Sequence, residues 1–162
     1  IDIKSPADLK GLSISELTDL TAQARQALMT KVSEHGGHFG PPMGVAEMIM
    51  ALHYVFNSPV DKIVYDVSHQ SYVHKMVTGR ALAFLDHDHY DDVTGYTDPT
   101  ESEHDFFNIG HTSTSISLAS GLATARNLKG DSENIIAIIG DGSLSGGEAF
   151  EGFDYAATLA AI

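Results

Sequence analysis

The sequence predicts an α/β fold, a three-layer domain built on a mainly parallel sheet. Two observations lead to this fold class. Segments with helical periodicity alternate along the chain with short apolar runs. The most apolar segment, residues 134–139, holds five consecutive apolar residues, of which four are Ile, and is followed by Gly-Asp-Gly. Such a run is typical of a strand buried on both faces, and open α/β sheets bind their ligands at the carboxyl ends of strands.

The first part of the chain predicts two helices, a strand and a third helix. Residues 13–16 (Ser-Ile-Ser-Glu) have the pattern of a capping box, and apolar residues then recur at helical spacing until two glycines at 36–37 end the helix. A second such pattern over residues 45–56 predicts the next helix. Residues 62–66 are predicted to form a short strand, and the helix after them reaches Gly79.

The second part predicts a long loop, a helix, the Ile-rich strand and a last helix. Residues 86–105 are polar and acidic and contain Gly95 and Pro99, so they predict a loop of a kind that is often functional inside a compact domain. The helix over residues 113–128 carries small residues on several faces, which indicates close packing. The last helix opens at residues 145–148 and is predicted to run to the chain end.

The composition excludes several classes of protein. The chain has 162 residues and a formal net charge of −13, which argues against nucleic acid as a partner because phosphates repel an acidic protein. It has no cysteine, hence neither disulfides nor thiolate metal sites. No apolar run approaches the roughly 18 residues that a membrane span needs. We therefore expect no membrane partner and a cytoplasmic location.

The Gly140-Asp141-Gly142 turn is the strongest candidate for a binding site. Glycines at a strand end let the backbone approach a phosphate closely, and a carboxylate oxygen is a hard ligand suited to Mg²⁺. The free N–H groups of the helix that opens at residues 145–148 would also favour an anion. A tight turn without a ligand is the other interpretation of the tripeptide.

Three further segments carry candidate functional residues. His38 lies on residues 36–44, a loop held rigid by glycines and prolines, where a histidine can shuttle protons or contact a substrate. His69 directly follows the predicted strand over residues 62–66. Residues 110–115 (Gly-His-Thr-Ser-Thr-Ser) open a helix, and their hydroxyls and amides suit a phosphate or a helix cap equally well. Taken singly, His38 also fits a surface histidine and His69 a satisfied interior histidine.

Together these segments resemble the amino-terminal domain of the 1-deoxy-D-xylulose 5-phosphate synthases, thiamine diphosphate enzymes of the transketolase superfamily. The likeness covers about residues 5–155, and residues 51–56, 78–80 and 101–103 belong to it. It rests on four motifs in this order: Gly-Gly-His-Phe-Gly, Asp-Val-Ser-His-Gln-Ser-Tyr-Val-His-Lys, Gly-His-Thr-Ser-Thr-Ser-Ile-Ser and Gly-Asp-Gly-Ser-Leu-Ser-Gly-Gly.

The resemblance implies a cofactor site for thiamine diphosphate and Mg²⁺. Asp141 resembles the metal ligand of the thiamine motif, and Gly142 and Ser143 the residues against the diphosphate. A second segment would line the diphosphate and thiazolium of the cofactor: Gly110, His111 and Thr112.

The resemblance also implies a reaction and its partners. His69 is similar to the histidine beside the cofactor, and His38 to the one that assists proton transfers on the substrate. The family decarboxylates pyruvate and joins the remaining unit to glyceraldehyde 3-phosphate, for isoprenoid and vitamin (thiamine) synthesis. The working enzyme is then expected to be a homodimer.

The chain departs from the family pattern at several points. The Asn that completes the metal shell typically lies about 25–30 residues beyond Gly-Asp-Gly, and 20 residues follow Gly142. The pyrimidine-binding domain with its activating Glu is not found either, nor an initiator Met, so we expect residues 1–162 to be a truncated diphosphate-binding domain. Pro41-Pro42 replace a small Ser-rich pair, and residues 98–100 lack a basic residue often found before Glu101. These two changes favour a divergent paralogue with another acceptor.

Three alternatives remain open at this point. A transketolase-like ketol transfer uses the same Gly-Asp-Gly motif. A non-catalytic remnant would keep the fold without the chemistry. Residues 86–92 (Asp-His-Asp-His-Tyr-Asp-Asp) could bind Zn²⁺ through alternating histidines, although a solvated acidic loop explains them as well.

Overall fold

The computed structural model describes residues 1–159, which combine many helices with a small parallel sheet. This composition agrees with an α/β class. The chain divides into two compact units, and each is described by itself. The first comprises Ile1–Ser58 and His69–Gly95, and the second comprises Pro59–Ser68 and the chain from Tyr96 onward. Within the described residues no helix is both long and apolar enough to cross a membrane.

The first unit begins with a 3₁₀ turn, Pro6–Leu9, followed by the long helix α1, Ile14–His35. The predicted capping box is confirmed. The Ser13 N–H donates to the Glu16 carboxylate at 2.7 Å, and the Glu16 N–H donates to Ser13 Oγ at 3.3 Å. The helix ends at Gly36, whose φ of +88° is a conformation that L side chains rarely adopt.

The next two helices are α2, Gly40–Gly44, and α3, Ala46–Val55. The helix predicted over residues 45–56 is confirmed as α3. The prediction that residues 36–44 form a loop throughout is wrong, because α2 occupies their second half. Prolines at 41 and 42 lie in the first turn of α2, where a backbone N–H has no intrahelical partner to lose.

The helix predicted to reach Gly79 is confirmed, and its backbone becomes non-helical at Thr78 and Gly79. It consists of α4, Tyr72–Lys75, and a π-helical turn, Met76–Arg80. Gly79 has a φ of +93°, and a Cβ at this position would lie 2.9 Å from the backbone oxygen of Lys4. Only glycine fits that approach, so the helix ends at a position that no other residue could occupy without strain.

Helix α5, Leu82–Leu85, and a 3₁₀ helix, His87–Asp92, complete this unit. The prediction of a loop over residues 86–105 is therefore wrong for its first third. The Asp86 side chain accepts a hydrogen bond from the Asp88 N–H at 3.0 Å, which caps the short helix locally.

The second unit contains the sheet. Strands β1, Lys62–Tyr65, and β2, Ile135–Ile138, pair in parallel, as predicted. Helix α6, Ser115–Lys129, lies between them in the sequence and packs on both strands. A 3₁₀ turn, Ser143–Ser145, and helix α7, Gly147–Ala156, follow β2. The prediction that the last helix reaches the chain end concerns residues 160–162, which lie outside the described residues.

The two strands differ in burial. In β1, Ile63, Val64 and Tyr65 are buried, whereas in β2 only Ile138 is buried. The prediction that the Ile-rich strand is buried on both faces is thus wrong for the described chain. Among residues 1–159, β2 pairs with β1 alone. The apolar side chains at 135 and 137 line a cavity of about 350 Å³ together with residues of α6 and α7.

Candidate active site

Asp66 organises the carboxyl end of β1 in the second unit. Its side chain is 1% exposed, and its two oxygens accept hydrogen bonds from the N–H groups of Ser113 at 2.9 Å and Ser115 at 3.0 Å. The carboxylate thereby holds the amino terminus of α6. The sequence pattern predicts residue 66 only as the last residue of a strand. The signal that could have identified it is the one used for Asp141, an acid directly after an apolar strand.

Ser113 connects the segment before α6 to the Gly-Asp-Gly segment. Its Oγ donates a hydrogen bond to the backbone oxygen of Ser143 at 2.7 Å. Its φ of +73° is unusual for a residue other than glycine. A Cβ on Gly146 would lie 2.0 Å from Ser113 Oγ. The structure therefore brings together two segments that sequence reasoning treated separately, residues 110–113 and 140–146.

The Gly-Asp-Gly turn itself is open. Asp141 and Gly142 are exposed, and a Cβ on Gly140 or Gly142 would meet no atom within 4 Å. Within residues 1–159 the Asp141 carboxylate has no hydrogen-bond or ion-pair partner, whereas Ser143 is buried by its neighbours. An exposed carboxylate between two open stretches of backbone can receive a cation and the anion that accompanies it.

The segment over residues 110–115 leads into α6, whose amino terminus is capped by Asp66 rather than by a hydroxyl of the segment. The amides of Ser113 and Ser115 are taken by Asp66. Gly110, His111 and Thr112 remain exposed. Ser115 Oγ is fully buried, and no atom of the described residues is its partner. The interpretation of these hydroxyls as a helix cap is thus wrong, because Thr114 at the N-cap makes no side-chain cap hydrogen bond, while residues 110–112 stay accessible.

In the first unit, His38 and His69 lie together. Both are half-buried, and their ring centroids are 4.9 Å apart at an interplanar angle of 44°. Tyr72 lies against the same ring, with its hydroxyl 3.3 Å from His38 Nδ1. Two histidines from separate sequence segments thus form one cluster. Tyr72 also belongs to this cluster, and the sequence did not predict it.

His38 also lines a cavity of about 280 Å³. Lys31 extends along it from α1, with its ammonium group 4.4 Å from the centre of the Phe84 ring and 2.8 Å from each of two backbone oxygens, Ala83 and Tyr90. This buried cation is therefore compensated by carbonyl dipoles and an aromatic face.

The zinc site considered at residues 86–92 is not formed. No group of three or more His, Cys, Asp or Glu in the described part of the chain is arranged to hold a metal ion. His89 Nδ1 instead pairs with Asp92 at 2.7 Å, and this hydrogen bond raises the pKa of the imidazole. Other side chains of this segment contact α1, where Asp91 pairs with His35 at 2.9 Å and the Tyr90 hydroxyl donates to Glu34 at 3.1 Å.

Two other histidines are buried in the first unit and contact each other. His53 and His74 are both 0% exposed, and His53 Nε2 lies 2.8 Å from His74 Nδ1. The pair joins α3 to α4 inside the first unit.

Comparison with known proteins gives one consistent result. Residues 1–161 match the family model described as 1-deoxy-D-xylulose-5-phosphate synthase. The chain is 54% identical over 149 residues to a protein of that name from Caldanaerobacter subterraneus subsp. tengcongensis, covering 92% of this chain and 24% of the relative. It is 52% identical over 153 residues to the one from Chlorobaculum tepidum, covering 94% and 24%. A relative from Geobacter sulfurreducens, 1-deoxy-D-xylulose-5-phosphate synthase 2, is 50% identical over 157 residues, covering 97% and 25%. The chain spans about a quarter of the length of these relatives.

Proposed function

The chain belongs to the 1-deoxy-D-xylulose-5-phosphate synthase family, and on that basis we propose that the whole protein joins pyruvate, with loss of carbon dioxide, to glyceraldehyde 3-phosphate. The product is 1-deoxy-D-xylulose 5-phosphate. Thiamine diphosphate and Mg²⁺ are the proposed cofactors. The proposed setting is the cytoplasm, with small molecules rather than nucleic acid or membrane as partners.

The observation that carries the proposal is the open turn at Asp141. An unpaired carboxylate stands there at the carboxyl end of β2, and Ser113 ties this turn to the exposed residues 110–112. The donor set fits the diphosphate end of the cofactor, because a hard oxygen ligand for Mg²⁺ lies beside backbone that a phosphate can approach. Asp141 supplies one ligand, and the remaining ligands would come from the diphosphate and from groups outside those described.

Each residue has a proposed task around the cofactor. Asp141 would bind the metal, with Gly142 and Ser143 against the diphosphate. Another segment would line the diphosphate and thiazolium: Gly110, His111 and Thr112. When bound, thiamine diphosphate supplies the nucleophilic carbon and the electron sink for decarboxylation, while protein groups orient the reactants and move protons.

The two histidines of the first unit have proposed tasks on the reacting side. His69 would lie beside the cofactor and restrict its position. His38 would exchange a proton with the substrate oxygen through a ring nitrogen. Half-burial suits both tasks, because a partly dry environment strengthens hydrogen bonds without denying access to a ligand.

A calorimetric titration of the full-length protein with thiamine diphosphate and Mg²⁺ tests the cofactor assignment. We expect Asp141→Ala to abolish metal-dependent binding, because the turn then has no strong oxygen ligand. Asp154→Ala, which removes an exposed carboxylate of α7, is the matched control and should bind as the parent does. Unchanged affinity in Asp141→Ala would refute the assignment.

A transketolase-like ketol transfer is the second candidate, because the Gly-Asp-Gly motif serves the whole superfamily that the chain resembles. Before Glu101, Asp98 Oδ1 accepts hydrogen bonds from the N–H and hydroxyl of Thr100, at 2.8 and 2.7 Å, where the family pattern often has a basic residue. Pyruvate with glyceraldehyde 3-phosphate should release carbon dioxide if the synthase reaction is correct. Turnover of xylulose 5-phosphate with ribose 5-phosphate alone would establish the transfer instead. Activity with neither mixture would favour the non-catalytic remnant.

A further inference from the structure

Tyr72 places its hydroxyl against both the backbone and the ring of His38. The hydroxyl oxygen accepts a hydrogen bond from the His38 N–H at 3.3 Å, and it lies 3.3 Å from His38 Nδ1. The side chain is 5% exposed, and its ring packs on Phe84 with centroids 5.6 Å apart. The hydroxyl therefore has a fixed position relative to His38.

Two glycines make room for this hydroxyl. A Cβ on Gly37 would lie 3.1 Å from the Tyr72 hydroxyl oxygen, and a Cβ on Gly95 would lie 3.3 Å from it. Gly37 also has a φ of +125°, which L side chains rarely adopt. A side chain at either glycine would therefore crowd the hydroxyl. The glycine before His38 in the Gly-Gly-His motif is thus needed for the contact between Tyr72 and His38.

The available donors and acceptors determine which atom is the donor in the contact between the Tyr72 hydroxyl and His38 Nδ1. A tyrosine hydroxyl has a single proton. Among the described residues Tyr72 contacts no acceptor other than His38 Nδ1. Within the described residues the proton is therefore paired only when Nδ1 accepts it, and a hydroxyl proton left without a partner is costly. We infer that Tyr72 is a positioning residue that holds neutral His38 in the tautomer with its proton on Nε2.

This tautomer determines what His38 can do in the reaction. With Nδ1 occupied by Tyr72, the neutral ring offers Nε2–H as a hydrogen-bond donor. His38 would then stabilise negative charge on a substrate oxygen through this hydrogen bond rather than remove a proton from it. This role rests on the proposed synthase reaction, whereas the tautomer is independent of it.

Steady-state kinetics of the full-length enzyme with pyruvate and glyceraldehyde 3-phosphate test the role. Tyr72→Phe removes the hydroxyl and keeps the ring packing. We expect kcat to fall roughly tenfold to a hundredfold, with both KM values nearly unchanged, because the hydroxyl acts through His38. In a His38→Gln background the same substitution should cause no further loss. Tyr155→Phe, which removes a hydroxyl that is hydrogen-bonded to Thr124, is the control and should leave kcat unchanged.

Two results would overturn the inference. One is a loss in Tyr72→Phe that is equally large in the His38→Gln background, because a general structural effect would persist there. The other comes from long-range ¹⁵N–¹H spectra of histidine-labelled full-length protein, with His38 assigned through His38→Gln. We expect the Nε2–H tautomer in the parent and a mixture in Tyr72→Phe. A parent with its proton on Nδ1 contradicts the inference even if the synthase assay shows no turnover, so the two proposals fail separately.

Discussion

At the scale of single residues, Asp66 holds two backbone N–H groups that would otherwise be buried without partners. Replacing Asp66 with Ala leaves the amides of Ser113 and Ser115 unpaired. Hydrogen bonds to a charged group each contribute about 1.5–3 kcal/mol, so the free energy of unfolding should fall by roughly 3–5 kcal/mol. Urea denaturation measures this loss. Asp131→Ala, at an exposed position, should change the free energy by less than about 0.5 kcal/mol. A loss below about 1 kcal/mol in Asp66→Ala would contradict the assigned role.

The contact between Ser113 and Gly146 gives a second prediction for single residues, because the Ser113 side chain leaves no room for a Cβ at position 146. In Gly146→Ala the new Cβ would lie 2.0 Å from Ser113 Oγ and 2.8 Å from Ser113 Cβ, although the φ of −80° suits alanine. We expect the free energy of unfolding to fall by roughly 1–3 kcal/mol. Gly147→Ala, where a Cβ meets no atom within 4 Å, is the matched control and should not be destabilised.

The coupling between these two residues sharpens the prediction. Ser113→Gly removes the obstructing side chain and also relieves the φ of +73°. Gly146→Ala should therefore be nearly neutral in a Ser113→Gly background, which a double-mutant cycle measures. Equal losses in both backgrounds would show that another contact opposes the Cβ.

At the scale of helices and strands, most of the features that the sequence predicted correctly are set by local patterns. The capping box before α1 and the apolar periodicity of α3 follow from neighbouring residues. The parallel pairing of β1 with β2 joins distant segments, and it was predicted from the alternation of helices with apolar strands along the chain. The close approach of Lys4 to Gly79 was missed because the two residues lie far apart in the chain. Asp141 could be proposed as a site residue from its place after a strand. Tyr72 could not, because its contact with the His38 ring joins residues 34 positions apart.

The parallel pair of strands carries a pH dependence at its amino-terminal end. Lys62 Nζ donates a hydrogen bond to the Glu133 carboxylate at 2.7 Å, and this contact holds the pKa of Glu133 below its ordinary value of 4.5. The folded state thus binds the proton less readily than the unfolded state. The stabilisation is complete above pH 4.5 and is lost as the pH falls through the lowered pKa.

Glu133→Gln tests this linkage. The variant should unfold at a lower temperature than the parent at pH 7, and the two melting temperatures should converge as the pH is lowered past the Glu133 transition. Glu103→Gln, at an exposed position of the same unit, should follow the parent at every pH. A difference between Glu133→Gln and the parent that stays constant down to pH 2 would exclude the carboxylate as the titrating group.

At the scale of the whole molecule, the question is how a cofactor can be held at both of its ends. The described residues offer an open carboxylate and backbone for the diphosphate end. In the resemblance to the family, the aminopyrimidine end belongs to a further domain that carries an activating Glu. The chain spans about a quarter of the length of its relatives, so there is room in proteins of that length for such a domain.

The working enzyme is therefore predicted to be a homodimer of longer chains, in which residues 1–162 form the diphosphate-binding domain. Light scattering of the full-length, cofactor-loaded protein should give the mass of a dimer. A polypeptide of residues 1–162 alone should show no turnover with pyruvate and glyceraldehyde 3-phosphate, because the resemblance to the family assigns the activating Glu to the further domain. A fully active monomer would refute the dimer. Measurable turnover by residues 1–162 would overturn the division of the cofactor between two domains, since one domain would then perform the tasks of both.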